Sequence, residues 1–227
     1  MMDIKNLEIQ NFSIVLVAVN QNPSILNPDF LKYNHIVPVE WELGMPPISI
    51  PPLSQVAYKN GFNIIAQEDR ITFLQSDNKL LAEVSEVSFK YVDTLGYLNY
   101  QAIGINFSGY VIFDKAEKSY DFILEKLIAP GAWKSFQGSS PSVAIQFVYP
   151  LSDANLNVTV QAGNMEDSSN NIVTRVLLFS ANFHRDLVNI VDEERILEAK
   201  RIIQSWETDF NTFHSLVEDT FLGGLKE

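Results

Sequence analysis

The chain has 227 residues, 46% hydrophobic and 11% aromatic, enough to build the core of one large domain or two small ones. Its formal charge is −12 and its pI near 4.6, and each half, divided at Asp114, carries −6 (12 acids against 6 bases, then 16 against 10). No Lys/Arg cluster interrupts that excess, which argues against nucleic acid, whose backbone demands clustered cations, and against anionic membranes.

Ile9–Val19 is a β-rich run that reads as a largely buried strand. Asn27-Pro28 places an N-cap before a first-turn proline and predicts one short helical turn. Val37, Val39, Trp41 and Leu43 alternate with Pro38, Glu40, Glu42 and Gly44, the pattern of a one-face strand that Pro38 confines to an edge. Met45–Pro52 reads as a stiff polyproline-like connector, with docking to an aromatic groove as the sharper alternative. Asn60-Gly61 between Val56/Tyr58 and Ile64/Ala66 predicts a tight hairpin with a type I′ turn. Leu80–Val92 fits two periods; the alternation of Val87, Phe89 and Tyr91 is read as a strand from Val84. Tyr97–Phe113 is a long strand with Gly104 and Gly109 marking bulges or close backbone approach.

Asp114–Glu117 has capping-box spacing, and Ala116, Tyr120, Ile123, Leu124 and Leu127 form the stripe of a middle helix ending at Pro130-Gly131. Ala132–Pro141 is a loop carrying Trp133 and Phe136. Three strands follow, around Val143–Tyr149, Leu156–Val160 and Ile172–Phe183, the last two joined by a polar, mobile connection over Gly163–Asn171.

The most legible element is the last, Asp192–Leu222. Ile196, Ile203, Phe210 and Val217 recur every seven residues, interleaved with Ala199, Trp206, Phe213 and Thr220, which predicts one helix with an apolar stripe. Asp192 is placed to cap it and Gly223-Gly224 to stop it, giving a length of roughly 45 Å. The stripe needs a large apolar partner, either the chain's own sheet or the same helix of another subunit. Tight turns between strands rule out parallel pairing, so the expected class is α+β: a mostly antiparallel curved sheet packed on a middle helix and a long C-terminal helix. One domain is expected over residues 1–227, with two unequal halves meeting near 130–141 as the alternative.

Tyr100–Phe107, the strand Val176–Phe183 and the helix end Phe213–Asp219 together resemble a sporadically distributed prokaryotic family of uncharacterised proteins of roughly this length. The resemblance implies a fold and a size, and no activity. Family members tend to carry an arginine where this chain has Asn106 and acids near Ser180 and Asn182; this chain departs at each. If those charges pair in relatives, both sides are neutral here, which avoids an unpaired buried charge.

The chain contains no cysteine, so disulfides, thiolate metal sites and cysteine nucleophiles are excluded. His35, His184 and His214 lie far apart, without metal-ligand spacing. Neither a Walker loop, a dinucleotide fingerprint nor a G-x-S-x-G elbow appears, so no cofactor or metal is expected. His184-Arg185-Asp186 reads as a solvated strand end or, more sharply, an anion or acid–base site. Glu40 and Glu42 share a strand face and read as solvent-facing acids rather than a catalytic pair. Asn106 is either a satisfied core amide or a pocket residue. Met1–Lys5 lacks the basic and apolar regions of a signal peptide, and Ile14–Val19 is too short to span a bilayer. A cytoplasmic protein is therefore expected, in which the Asn-X-Ser/Thr triplets at Asn11, Asn106 and Asn157 have no glycosylation role.

Two functions follow as expectations. The first is a non-enzymatic binding or interaction protein acting through a protein partner or a homodimer. The second is a carrier or sensor of a small apolar ligand held between sheet and C-terminal helix, lined by Trp41, Trp133, Phe107, Tyr110 and Trp206. An enzyme with a scattered site is the third and weakest. The residues expected at a pocket or interface are Trp41, Asn106, Tyr110, Trp133, His184, Arg185, Trp206 and Phe210.

Overall fold

The computed structural model describes residues 6–113, 118–167 and 172–225. Its frame is one open nine-stranded sheet in the order β2-β3-β4-β5-β1-β6-β9-β8-β7, with every neighbouring pair antiparallel. The strands are β1 (Glu8–Val19), β2 (Ile48–Ile50), β3 (Leu53–Ala57), β4 (Phe62–Ala66), β5 (Arg70–Gln75), β6 (Asn99–Ile112), β7 (Ala144–Pro150), β8 (Asn155–Asp167) and β9 (Ile172–Asp186). The helices are α1 (Pro28–Tyr33), α2 (Ala82–Thr94), α3 (Lys118–Phe122), α4 (Asp192–Gln204) and α5 (Trp206–Ser215). The α+β class, with an antiparallel sheet against a C-terminal helical segment, is the one the sequence predicts. None of the described helices is long and apolar enough to cross a membrane.

Alternation along the strands decides which face is covered. Phe12, Ile14, Leu16 and Ala18 of β1 are buried, while Asn11, Ser13, Val15 and Val17 between them are half-buried. Because side chains alternate strictly across a strand, the buried set faces one layer, where α2 lies against β1 and β5 and both α4 and α5 lie against β6. The other set forms the opposite face. In the helix layer Phe107 is the hub. Its ring lies 4.8 Å from Phe12, 5.8 Å from Phe213, 5.6 Å from Phe210 and 6.2 Å from Phe183, and such pairs each add about 0.5–1.5 kcal/mol beyond their area burial.

Several elements depart from their sequence reading. Val84–Val92 is helix, not strand. Val84, Val87, Ser88 and Tyr91 are buried at helical spacing, Ser88 Oγ donates to the Val84 carbonyl at 2.7 Å, and Ser85 Oγ donates to Ile203 O of α4 at 3.1 Å. Val37–Leu43 is not a strand either. The Trp41 N–H closes a turn onto Pro38 O at 3.2 Å, Val39 is exposed, and only Leu43 bridges to Tyr58; Pro38 has no N–H to give a ladder. The Met45–Pro52 connector contains β2, paired to β3. In the β3–β4 hairpin only Gly61 has positive φ (+85°). Tyr58 N–H bonds Phe62 O at 2.8 Å and Gly61 N–H bonds Tyr58 O at 3.2 Å. This is a three-residue loop, a type I turn with a glycine bulge, in place of type I′.

The C-terminal helix is broken. At Ser205 (φ −83°, ψ 7°) its N–H is shared between the Arg201 and Ile202 carbonyls, both at 3.1 Å, and Ser205 Oγ donates to Ile202 O at 2.9 Å. Serine back-bonding of this kind bends helices. Leu216–Phe221 then widens to a π-turn. Val191, not Asp192, holds the N-cap position of α4, without a side-chain cap. The heptad stripe is core all the same: Ala199, Ile203, Phe213 and Val217 are buried on the chain's own sheet, although Thr220 is exposed. The middle helix is α3 followed by a π-turn over Ile123–Leu127, and its expected capping box at 114–117 lies outside the described residues. β8 runs on to Asp167, so most of the expected Gly163–Asn171 connection is strand.

Candidate functional site

The open face of the sheet carries an array of neutral polar side chains. Register assembles it from five strands. Asn11 of β1 lies opposite Ser108 of β6, which lies opposite Ser180 of β9, then Thr159 of β8 and Gln146 of β7. The next same-face rung runs Ser13, Asn106, Asn182, Asn157. With strands 4.7–4.9 Å apart, the first rung crosses about 19 Å of sheet. A depression of about 450 Å³ lies over these rungs, lined by Asn11, Gln146, Asn157, Thr159 and Ser180 with the Asn106–Ser108 and Ala181–Asn182 segments, and no charged side chain enters its lining.

The floor is organised by a pair of amides. Asn182 Nδ2 donates to Asn106 Oδ1 at 2.6 Å, and Asn106 Nδ2 donates to the carbonyls of Gly104 at 3.2 Å and Ser13 at 3.4 Å. Gly104 makes room for them: a Cβ there would lie 2.8 Å from Asn182 Nδ2. Asn106 is thus both of the things its sequence left open, an amide with satisfied bonds and a residue lining a depression. Beside it Ser108 Oγ is buried without a hydrogen-bond partner among the described residues, and a buried hydroxyl in that state favours an incoming polar group. Further along the face the Tyr110 hydroxyl donates to Glu8 Oε2 at 2.5 Å. That bond, with burial second, pushes the phenol up to about 12.

The remaining expected residues are dispersed. Trp41 caps the β3–β4 hairpin, its ring 5.1 Å from those of Tyr58 and Phe62. Trp133 is 41% exposed in a 3₁₀ turn, Ala132–Lys134, ahead of β7. Trp206 stacks on Phe12 at 5.1 Å and lies 6.3 Å from Phe210, so these two rings pack between sheet and helix. Of the five aromatic side chains expected to line one cavity, Phe107 and Trp206 meet around Phe12, whereas Tyr110 lies on the open face beside Glu8 and Trp41 and Trp133 lie elsewhere. Glu42 pairs with Lys59 at 2.6 Å, which holds its carboxyl below the usual range, and it is not on a strand.

His184 is half-buried, with 38% of its side chain exposed, and contacts Asp186 at 3.1 Å at the end of β9. Arg185 is buried. Only 5% of its side chain is exposed, and both ends of its fork reach Asp209 of α5 at 2.8 Å, while Nε and one terminal nitrogen reach Asp153 at 3.2 and 3.0 Å. Burial pushes the Asp209 carboxyl up against the lowering influence of Arg185. For Arg185 burial acts downward, but its bonds to Asp209 and Asp153 leave it above its ordinary value. Only the carboxyl can titrate in the working range, so the direction that matters is that of Asp209. With its donors engaged, Arg185 pins β9 to α5 and to the β7–β8 turn and offers no free anion site.

Sequence reasoning missed Asn157, Thr159 and Gln146 as site residues. The available signal was the alternation Asn155, Asn157, Thr159, Gln161 along one strand face, but only register sets it beside Asn182 and Ser180. It also missed Asp209, an acid at a buried helical position. Comparison with known proteins finds no matching family, curated protein or solved structure.

Proposed function

We propose that this is a non-enzymatic binding protein that receives a protein partner on the open face of its sheet. The observation that carries this reading is the pair of neutral rungs. They offer donors and acceptors in a regular array but no carboxylate, imidazole or ammonium to move a proton, and acid–base catalysis requires such a group. Breadth favours a macromolecule: small-ligand pockets are mostly apolar, whereas the rungs of amides and hydroxyls here run about 19 Å across the sheet. Interfaces accommodate such polarity through direct and water-bridged hydrogen bonds. The Ser108 hydroxyl, which has no partner among the described residues, and the side chains of Asn157, Thr159 and Gln146 that line the depression are where those bonds form.

Since the chain has no cysteine, one introduced thiol reports one place. Ser180→Cys on the open face should alkylate more slowly in cells of the source organism than after purification, while Leu197→Cys on the exposed side of α4 should react alike in both. Equal rates for Ser180→Cys in the two settings would refute occupancy of this face.

A further inference from the structure

The two edges of the sheet are built differently. β2 is three residues long and lies between Pro46-Pro47 and Pro51-Pro52, a short, proline-flanked edge of the kind that prevents strand addition. The opposite edge, β7, has none of these devices until its last residue, Pro150. Its sequence Ala-Ile-Gln-Phe-Val-Tyr-Pro contains no charge and no glycine. It pairs with β8 on one side, and among the described residues no backbone group outside the sheet bonds to it. β8 beside it is also uncharged over the paired stretch Asn155–Gln161.

The core does not close at this edge. Ile145, Phe147 and Tyr149 point to the helix side, where Phe147 lies 5.3 Å from Phe221 and 6.3 Å from Tyr149. All three are only half-buried, while Gln146 and Val148 on the other face are exposed, Val148 at 60%. A strand added outside β7 would complete both its ladder and the flank of this aromatic row.

We propose that the added strand is the β7 of a second copy of this chain, paired antiparallel about a two-fold axis so that the two sheets become continuous. Antiparallel pairing of identical strands is self-complementary, with residue i meeting j and j meeting i. It brings Ile145, Phe147 and Tyr149 of one copy beside the same residues of the other. Charge selects this occupant. Two molecules of net charge −12 repel over most approaches, and the β7–β8 flank lets them meet without setting acid against acid. A charged peptide would find no counter-charge there. The proposal stands on the sheet edge and is independent of the open-face reading.

Sedimentation velocity over a concentration series tests it on the full chain. The wild type should show a monomer–dimer equilibrium. Val148→Glu and, separately, Gln146→Glu place like charges across the dyad and should weaken dimerisation at least about tenfold, with an unchanged far-UV spectrum and melting temperature. Leu197→Glu, exposed on α4, should leave dimerisation intact. A wild type that stays monomeric at every concentration overturns the proposal. So does a dimer that survives both β7 substitutions, or one that Leu197→Glu disrupts equally.

Discussion

Replacing Arg185 with methionine strands the Asp209 carboxylate in the core, and the structure sets the size of the effect. Both side chains are 5% exposed and joined by two bonds of 2.8 Å, so water cannot take the place of the lost partner. Removing one member of such a pair costs about 3–5 kcal/mol, which in a chain of this size lowers the melting temperature by roughly 6–20 °C. Asp153, half exposed, is released to solvent and adds little. The loss depends on pH. The Asp209 carboxyl already lies above its ordinary value because of burial, and without Arg185 it rises further. Between the unfolded value of about 3.9 and that raised folded value, the native state holds more protons than the unfolded state. Unfolding free energy therefore falls as pH rises through this window. The penalty should be smallest at the acid end and complete above the raised value. Urea denaturation at pH 5 and pH 8 measures it. Arg185→Met/Asp209→Leu should recover most of the loss, since a well-packed apolar pair replaces a buried ion pair at little or no cost. A single-variant loss under about 1 kcal/mol, or a double variant no better than the single, would refute the reasoning.

Phe213→Ala removes a fully buried ring stacked on Phe107 and should cost about 3–5 kcal/mol. Trp206→Ala removes a half-buried one and should cost less, with no change of oligomeric state if the stripe is intramolecular core; denaturant titration and light scattering read the two quantities. Gly104→Ala sets a methyl group 2.8 Å from Asn182 Nδ2. It should destabilise by about 1–3 kcal/mol, and combining it with Asn182→Ala should be less damaging than the sum of the singles.

Much of the frame was legible because it rests on local rules. The Asn27 cap is where its sequence placed it, its side chain accepting the Phe30 N–H at 2.8 Å. The alternation in β1, β6, β8 and β9 and the tight turns between strands were enough to read an antiparallel α+β fold. Val84–Val92 was misread because its residues satisfy both periods. The choice fell to packing, where Ser85 and Ser88 bury their hydroxyls in bonds to helical carbonyls. Trp41 was misassigned for a similar reason: alternation marked a strand that Pro38 could not complete.

The amino-acid order by itself determined the periods, the caps, the buried stripe of the C-terminal segment and the absence of cysteine chemistry, since each depends on neighbours a few residues apart. Tertiary structure alone decided the strand order and register, and with them the candidate site. Asn11, Asn106, Ser180, Thr159 and Gln146 are scattered over more than half the chain, and only pairing turns five alternations into two rungs. The same holds for Arg185 and Asp209, which are 24 residues apart and meet only where β9 and α5 pack together. It holds too for β7, whose uncharged sequence acquires meaning only by ending at the edge. Long-range hydrogen-bond register is a property of the assembled sheet, and no window along the chain contains it.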